Sequence, residues 1–233
     1  MAFKGMDYSQ YVDQIAGTGE PGFIWLENMR KFGRRADEPS WADKAALGCN
    51  PCGEQTLEDR EICNLVETFP AKHDNLQDYI KTLKVAYLYA KSVTLVPTHD
   101  PRTNAVMMRN RRIGCSMSGI VQAISKFGRF EFRNWCESGY QKIQELDHTY
   151  SDWLCVPRSK KTTSVKPSGT VSLLANATPG IHYAHSEYYI RNVRIPSNSP
   201  MVDVCRSAGY PVEPDAVAPK SCVVSFPIKE EHF

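Results

Sequence analysis

Two thiols, a carboxylate and an amide lie within six consecutive positions of one loop. The thiols are Cys49 and Cys52, the carboxylate is Glu54, and the amide is Asn50. Pro51 fixes its own φ and biases the residue before it toward an extended conformation, so the loop should be rigid. We therefore expect the second thiol and the carboxylate to be held close together at a loop tip, where they are available for chemistry.

Two ordinary explanations compete for this loop. A lone cysteine beside a turn is most often a buried structural residue, but here several reactive groups are crowded together. Cys49 and Cys52 also have C-x-x-C spacing, which is typical of zinc or dithiol sites. A zinc site would need further ligands, and only Cys63 and His73 are near in sequence. A thioredoxin-like motif would need an apolar strand directly upstream, and residues 40–44 do not form one. A zinc or dithiol module remains an alternative.

A second candidate site follows a strand-like run that ends at Pro167. Backbone N–H groups and hydroxyls of Ser168, Gly169 and Thr170 would point past the strand end at the start of an apolar helix, a geometry that suits an anion. The stretch lacks the Gly-Lys-Ser/Thr ending of a Walker A loop. From these residues alone, a helix-capping role is the favoured interpretation.

Strands and helices must position these groups. The apolar run at residues 61–69 predicts a strand buried inside an α/β barrel, with Asn64 and Glu67 facing its lumen or lying at its ends. Residues 93–96 predict another strand. The basic run at residues 109–112 suits either contact with a nucleotide phosphate or a solvated turn, and the solvated turn is favoured.

Helical periodicity is clear in three regions. Residues 8–33 predict a helix, a turn and a second helix. From Asn75, a plausible N-cap, apolar residues recur at three- and four-residue steps. Gly128 separates a short helix from a long amphipathic one that continues toward Pro157. These helices should cover the outside of the predicted barrel.

Composition restricts the function classes. The chain has 233 residues, 42% of them hydrophobic, and a net charge of +2, so a substantial core is expected but no general affinity for nucleic acid or membranes. Eight cysteines without a secretory signal or regular disulfide spacing indicate a reducing cytoplasm. Function must therefore come from a defined site.

The loop sequence Asn-Pro-Cys-Gly-Glu, followed by Cys63 in an apolar run, resembles the active-site loop of ribonucleotide reductase large subunits. The separation of Cys52 from Cys63 is the same as in the monomeric, adenosylcobalamin-dependent (class II) branch. Residues 19–27, 111–114, 180–182 and 188–191 are similar to other segments of that family.

The resemblance implies an α/β fold, about half of a ten-stranded α/β barrel with a central cysteine finger loop at residues 46–56. Residues 1–233 would form a single partial domain, the C-terminal half of that barrel. The implied activity is reduction of ribonucleotides to 2′-deoxyribonucleotides by thiyl-radical chemistry with adenosylcobalamin as cofactor. Triphosphate substrates are favoured, and a diphosphate-reducing class II enzyme is the alternative.

The resemblance also implies roles for individual residues. Cys52 would hold the thiyl radical, Glu54 would act as general base, and Asn50 would hydrogen-bond the ribose hydroxyls. Cys63 would supply one of the two reducing thiols. The turn that holds the substrate's phosphates in the family would here be formed by Pro167, Ser168, Gly169 and Thr170. No metal ligands are assigned.

The family's barrel has another half, with a further redox cysteine and an effector loop, and a C-terminal thiol pair that thioredoxin reduces. None of these is recognisable in this sequence. Half a barrel cannot enclose a radical, so this polypeptide alone should be inactive. The expected partners are a complementary reductase half or chain and a thioredoxin-like reductant.

Overall fold

The computed structural model describes residues 6–230 and 233. The start of the chain, where the sequence predicts no secretory signal, lies outside these residues. The chain divides into two compact units, residues 1–182 and residues 183–233, whereas the sequence predicts one partial domain. Each unit is described by itself below.

The first unit begins with short helices and a small hairpin. In chain order these elements are a 3-10 turn at Ser9–Tyr11, α1 at Val12–Thr18, α2 at Leu26–Lys31, β1 at Gly48–Cys49 and β2 at Thr56–Leu57. The predicted helix, turn and second helix are thus confirmed. The two hairpin strands are antiparallel and enclose the cysteine loop.

The rest of the first unit alternates strands with helices. Its elements are β3 at Leu65–Thr68, a 3-10 turn at Pro70–Lys72, α3 at Leu76–Val93, α4 at Pro101–Asn110, β4 at Gly114–Met117, α5 at Ile120–Phe127, α6 at Arg129–Trp153 and α7 at Val171–Leu174. The Asn75 side chain accepts a hydrogen bond from the Asp78 N–H and caps α3, and Gly128 with φ +81° separates α5 from α6. Both helix boundaries confirm the sequence prediction.

Strands β3 and β4 are parallel, with Leu65 opposite Gly114 and Thr68 opposite Met117. A third extended segment runs beside β4, where Cys115 and Thr163 form a parallel bridge. The carboxyl ends of these neighbouring segments therefore meet at one edge of a small parallel sheet. The cysteine loop contacts the first residue of β4, where Gln55 lies beside Gly114, and the extended segment, where Ser164 bonds to Glu54.

The hydrophobic core of this unit lies between α3, α6 and the parallel strands. Its buried members are Tyr79, Leu83, Tyr87, Ala90, Ile113, Cys115, Ile120, Ala123, Phe132, Trp135, Ile143, Leu146 and Tyr150. Apolar residues at helical spacing on α3 and α6 face each other, which explains why both long helices were readable from the sequence.

The second unit is a three-stranded antiparallel sheet with one helix. It contains β5 at Tyr188–Pro196, α8 at Pro200–Ser207, β6 at Val212–Pro214 and β7 at Ser221–Lys229, with β7 in the centre of the sheet. Exposure alternates along β5, as expected when one face of a sheet is solvated.

Two local predictions differ from the structure. Residues 93–96 are not a strand, because α3 continues to Val93 and a turn follows. The strand predicted at residues 61–69 is ordered only at Leu65–Thr68, and Ile62 is 43% exposed. The observed architecture is a partial α/β fold. Within the described residues, no helix is both long enough and apolar enough to cross a membrane.

Candidate active site

The cysteine loop is closed by hydrogen bonds from Asn50. Its backbone N–H donates to the Gln55 carbonyl at 3.0 Å, and its side-chain oxygen accepts from the Gln55 N–H at 3.0 Å. Its carbonyl accepts from the Gly53 N–H at 2.9 Å, and Gly53 has φ +77°, a conformation that glycine adopts without strain. The loop is therefore a braced turn, as the proline and glycine predict.

A buried ion cluster holds the base of this loop. The Arg112 side chain is 0% exposed and donates to both carboxylate oxygens of Asp43, at 2.6 and 2.7 Å. It also donates to the Thr56 hydroxyl at 3.0 Å, and its Nε lies 3.0 Å from Glu61 Oε1. Burial alone would raise the pKa of Asp43, but the hydrogen bonds from Arg112 and Thr56 lower it below its ordinary value. We call Arg112, Asp43, Glu61 and Thr56 the base cluster.

This cluster corrects the interpretation of the basic run. Arg111 and Arg112 are buried, and the Arg109 guanidinium pairs with Glu58. A solvated turn does not describe Arg111 and Arg112, and only Arg109 is largely exposed. The basic run instead anchors the segments on either side of the loop.

Close packing fixes the loop against the parallel strands. A Cβ atom added at Gly114 would lie 2.4 Å from Leu65 Cδ2 and 3.0 Å from Gln55 Nε2, so any larger residue there would displace these side chains. The Ser164 hydroxyl donates to the Glu54 carbonyl at 2.7 Å. The loop thus lies directly on β4 and the extended segment beside it.

At the tip, the Lys166 ammonium joins the thiol to the carboxylate. Its Nζ lies 3.3 Å from Cys52 Sγ and 3.1 Å from Glu54 Oε1. The Glu54 side chain is 2% exposed, whereas Cys52 is exposed. Glu54 Oε2 is buried and has no hydrogen-bond partner among the described residues.

The charge on Glu54 follows from these contacts. Burial alone would raise the pKa of the Glu54 carboxyl, but the nearby Asn50 amide, the backbone N–H of Glu54 and the Lys166 ammonium outweigh burial and lower the pKa below its ordinary value. Glu54 is therefore a carboxylate at neutral pH.

Cys63 approaches the same group from the segment before β3. The Asn50 amide donates to its sulfur at 3.6 Å. Burial raises the pKa of the Cys63 thiol, Glu54 and Cys52 add to the rise, and Lys166 opposes it. The structure therefore brings together four of the residues predicted from the sequence: Asn50, Cys52, Glu54 and Cys63.

The turn predicted to hold phosphates follows Lys166 directly. Ser168 is buried, and its hydroxyl has no hydrogen-bond partner within residues 6–230 and 233, while Pro167, Gly169 and Thr170 are exposed. The helix that follows, α7, has only four residues, so its dipole contributes less than the sequence suggested. Any anion here would be bound mainly by hydroxyls and backbone N–H groups.

A second carboxyl lies at the carboxyl end of β3. The Ser118 hydroxyl donates to Glu67 Oε1 at 2.6 Å and accepts from the Gly180 N–H at 2.9 Å. Burial raises the pKa of Glu67, and this effect exceeds the opposing hydrogen bonds from the serines at 118 and 116. The pKa values of Glu54 and Glu67 are therefore shifted in opposite directions.

A cavity of about 520 Å³ lies beside this site, between the parallel strands, α3 and α6. Glu54 and Ser164 reach its edge, but most of its walls are apolar side chains such as Tyr79 and Trp135. Neither reactive thiol lines it, so we do not assign the chemistry to this cavity.

The structure does not support the alternative interpretation as a zinc site. In the part of the chain that the structure describes, no three His, Cys, Asp or Glu side chains are grouped closely enough to hold a metal ion. Burial and the nearby Glu54 raise the pKa of the Cys49 thiol, which disfavours the thiolate that metal binding requires.

Three residues of this site were missed by sequence reasoning: Lys166, Arg112 and Gly114. Lys166 directly precedes the predicted phosphate turn, and this position was its only signal. Arg112 and Gly114 belong to a segment recognised as similar to the family, but their partners are distant in sequence.

Comparison with known proteins identifies the class. The fold matches a crystal structure of a B12-dependent (class II) ribonucleotide reductase with a TM-score of 0.82 and 30% sequence identity, over 95% of this chain and 35% of that chain. No protein-family model matches the sequence.

Two similar curated relatives have names that specify reductases that depend on adenosylcobalamin and act on ribonucleoside triphosphates. The chain is 54% identical over 225 residues to a probable adenosylcobalamin-dependent ribonucleoside-triphosphate reductase of Dictyostelium discoideum, covering 96% of this chain and 30% of the relative. It is 51% identical over 225 residues to the adenosylcobalamin-dependent ribonucleoside-triphosphate reductase of Euglena gracilis, covering 96% of this chain and 31% of the relative. The chain is similar to these adenosylcobalamin-dependent reductases over nearly its whole length and spans about a third of the length of these relatives.

Proposed function

We propose that this chain forms the thiol-bearing half of the barrel of an adenosylcobalamin-dependent ribonucleoside-triphosphate reductase. The complete enzyme would convert ribonucleoside triphosphates to 2′-deoxyribonucleoside triphosphates for DNA synthesis. The observation that carries this proposal is the convergence of Cys52, Glu54, Asn50 and Cys63 on one loop tip. Relatives over 50% identical across nearly the whole chain have names that specify this activity.

Each of these side chains then has a task. Cys52, as a thiyl radical, abstracts the 3′-hydrogen of the ribose, and Glu54 accepts the proton of the 3′-hydroxyl. The 2′-hydroxyl then leaves C2′ as water after taking a proton from a reducing thiol. Asn50 hydrogen-bonds the ribose hydroxyls. Cys63 supplies one reducing thiol and forms a disulfide with a cysteine outside this chain.

Substrate phosphates are assigned to the turn formed by Pro167, Ser168, Gly169 and Thr170. The buried, unpartnered hydroxyl of Ser168 supports this assignment, because such a group is costly unless a ligand completes its hydrogen bonds. The exposed backbone of the neighbouring residues can approach the same anion.

Adenosylcobalamin supplies, when bound, the radical that this family uses at a thiol. Among this chain's residues, Cys52 is the one that would meet it. The Cys52 thiol suits such a cofactor because it is exposed, and because its one hydrogen-bonded neighbour among the described residues is the Lys166 side chain.

The partners and location follow from the same proposal. A radical site has to be enclosed, so the chain acts with a complementary reductase half or chain, and a thioredoxin-like reductant restores the thiols. All eight cysteines are free thiols, which supports a reducing, cytoplasmic setting.

An assay of deoxynucleotide formation tests the function. Ribonucleoside triphosphate, adenosylcobalamin and a dithiol are incubated with this chain alone, with the complementary part, and with both. We expect turnover only with both, and none when the chain carries Cys52→Ser. The matched control is Cys155→Ser, since Cys155 is also an exposed free thiol but lies at the end of α6. Full activity of the Cys52→Ser variant would refute the radical assignment, and turnover by the chain alone would refute the need for a partner.

A further inference from the structure

The two oxygens of the Glu54 carboxylate have different surroundings. Oε1 lies 3.1 Å from the Lys166 ammonium, whereas Oε2 is buried and unpartnered among the described residues. A buried carboxylate oxygen without a hydrogen bond is costly, so it is either a defect of the fold or the place where a ligand's proton donor binds. Its position at the loop tip, beside the reactive thiol, favours the ligand.

The backbone of Lys166 is anchored on both sides, and this anchoring helps to direct its side chain. The backbone N–H of Lys166 donates to the Ser116 hydroxyl at 2.9 Å, at the carboxyl end of β4. The Lys166 carbonyl lies against Gly180, where an added Cβ would meet that oxygen at 2.4 Å. The side chain is 29% exposed, so its direction is set by this anchored backbone and by its two partners.

We propose that Lys166 is a positioning residue for Glu54: it binds Oε1 and leaves Oε2 as the oxygen that takes the substrate's hydroxyl proton. This inference rests on the proposed function for the identity of the proton donor, but the ion pair itself does not. In this proton transfer, the O–H bond of the substrate's hydroxyl breaks and an O–H bond forms on Glu54 Oε2. The Lys166 ammonium keeps its protons and remains hydrogen-bonded to Oε1. No oxidant or reductant takes part in this transfer.

The same ammonium also orients the thiol. Since Nζ is 3.3 Å from Cys52 Sγ and 3.1 Å from Glu54 Oε1, one cation fixes the distance between the sulfur and the carboxylate, whereas the other hydrogen bonds of the loop hold its backbone. The hydrogen that Cys52 removes and the proton that Glu54 accepts would come from neighbouring atoms of one sugar. Both groups therefore need a fixed mutual geometry, which Lys166 provides.

Several titratable groups face the Glu54 carboxylate and enter any test by pH. They are Cys49 and Cys52 on the loop, Cys63 before β3, Glu67 on β3 and Lys166 after the third extended segment. Lys166 is the one cation in this group, so removing it should change the Glu54 titration more than removing any other member.

The first experiment titrates Glu54 in this chain by NMR with 13C-labelled glutamate, and assigns its signal by its loss in Glu54→Gln. Lys166→Met should shift the titration midpoint upward, and Lys166→Arg should leave it near the wild-type value. The matched control is Lys160→Met, because Lys160 is 22% exposed and pairs with Glu58, itself 9% exposed, at 2.7 Å. An unchanged Glu54 midpoint in Lys166→Met would overturn the inference whether or not the chain proves to be a reductase.

The second experiment measures kcat and KM against pH in the reconstituted enzyme. Lys166→Met should lower kcat at neutral pH about tenfold and move the acid limb of the kcat profile upward, with partial rescue by Lys166→Arg. A rise in KM for the triphosphate with an unchanged kcat profile would overturn the inference, since it would assign the ammonium to substrate phosphate. If the wild-type assembly makes no deoxynucleotide, the proposed function fails, and the NMR titration still decides the ion pair.

Discussion

The base and the tip of the cysteine loop both pair acids with a cation, but they do so in opposite ways. At the base, Arg112 is 0% exposed and contacts two carboxylates and a hydroxyl. At the tip, Lys166 is partly exposed, contacts one carboxylate and a thiol, and leaves one oxygen of Glu54 without a partner. A cluster with multiple paired contacts holds a loop in place, whereas an incompletely paired one is ready to bind and react.

The largest difference should appear in stability when Arg112→Met removes the cation of the base cluster. Asp43 and Glu61 would then be buried charges without their main partner, and we expect the free energy of unfolding to fall by about 3–5 kcal/mol. Urea unfolding followed by circular dichroism measures this. The control is Arg109→Met, because Arg109 is 56% exposed and should cost no more than about 1 kcal/mol. Equal losses in the two variants would contradict the role given to the base cluster.

At the tip, Glu54→Gln removes the carboxylate charge and should affect catalysis much more than stability. Glutamine keeps an oxygen acceptor for Lys166, so the free energy of unfolding should change by less than about 1 kcal/mol. Loss of the general base at position 54 should lower kcat of the reconstituted enzyme by about a hundredfold or more. If the Glu54→Gln variant unfolded as readily as Arg112→Met, or kept wild-type kcat, the proposed difference between a stabilising base cluster and a catalytic tip would be contradicted.

The smallest effect concerns the second carboxyl, Glu67. Burial raises its pKa in the folded protein above the unfolded value of about 4.3, so the protonated form favours folding. The stability contributed by this group is complete below that value and is lost as pH rises through the folded pKa.

Glu67→Gln cannot ionise, and it keeps an acceptor for the Ser118 hydroxyl. It should therefore unfold with a free energy about 1 kcal/mol higher than wild type at pH 7, and with the same free energy below about pH 4. Urea titrations at the two pH values measure the difference. A variant less stable than wild type at pH 7 would show that Glu67 is ionised and stabilising there.

Local signals explain which parts of the fold were predictable. The Asn75 cap, the Gly128 break and the long apolar stripe of α6 each act within a few residues, and the sequence located all three. Residues 93–96 include two valines, yet α3 extends to Val93, a turn follows, and Val96 is 68% exposed, so local strand preference was a poor guide there.

Distance along the chain explains what was missed in the site. The loop residues are neighbours in sequence, so their convergence was predictable from turn chemistry alone. The basic run was misinterpreted because the partners of Arg112 at Asp43 and Glu61 are far away in sequence. Lys166 reaches a loop more than a hundred residues earlier, and no local pattern reports such a contact.

The missing side chain at Gly114 limits how the loop can be redesigned. Since an added methyl group would overlap the Leu65 side chain and crowd Gln55, even alanine there would rearrange the side chains packed between the loop and the strands. Libraries that randomise residues 50–55 to recruit the scaffold for new radical substrates should keep position 114 constant. Otherwise each library member would vary both its reactive groups and the packing beneath them, and selection could not separate the two.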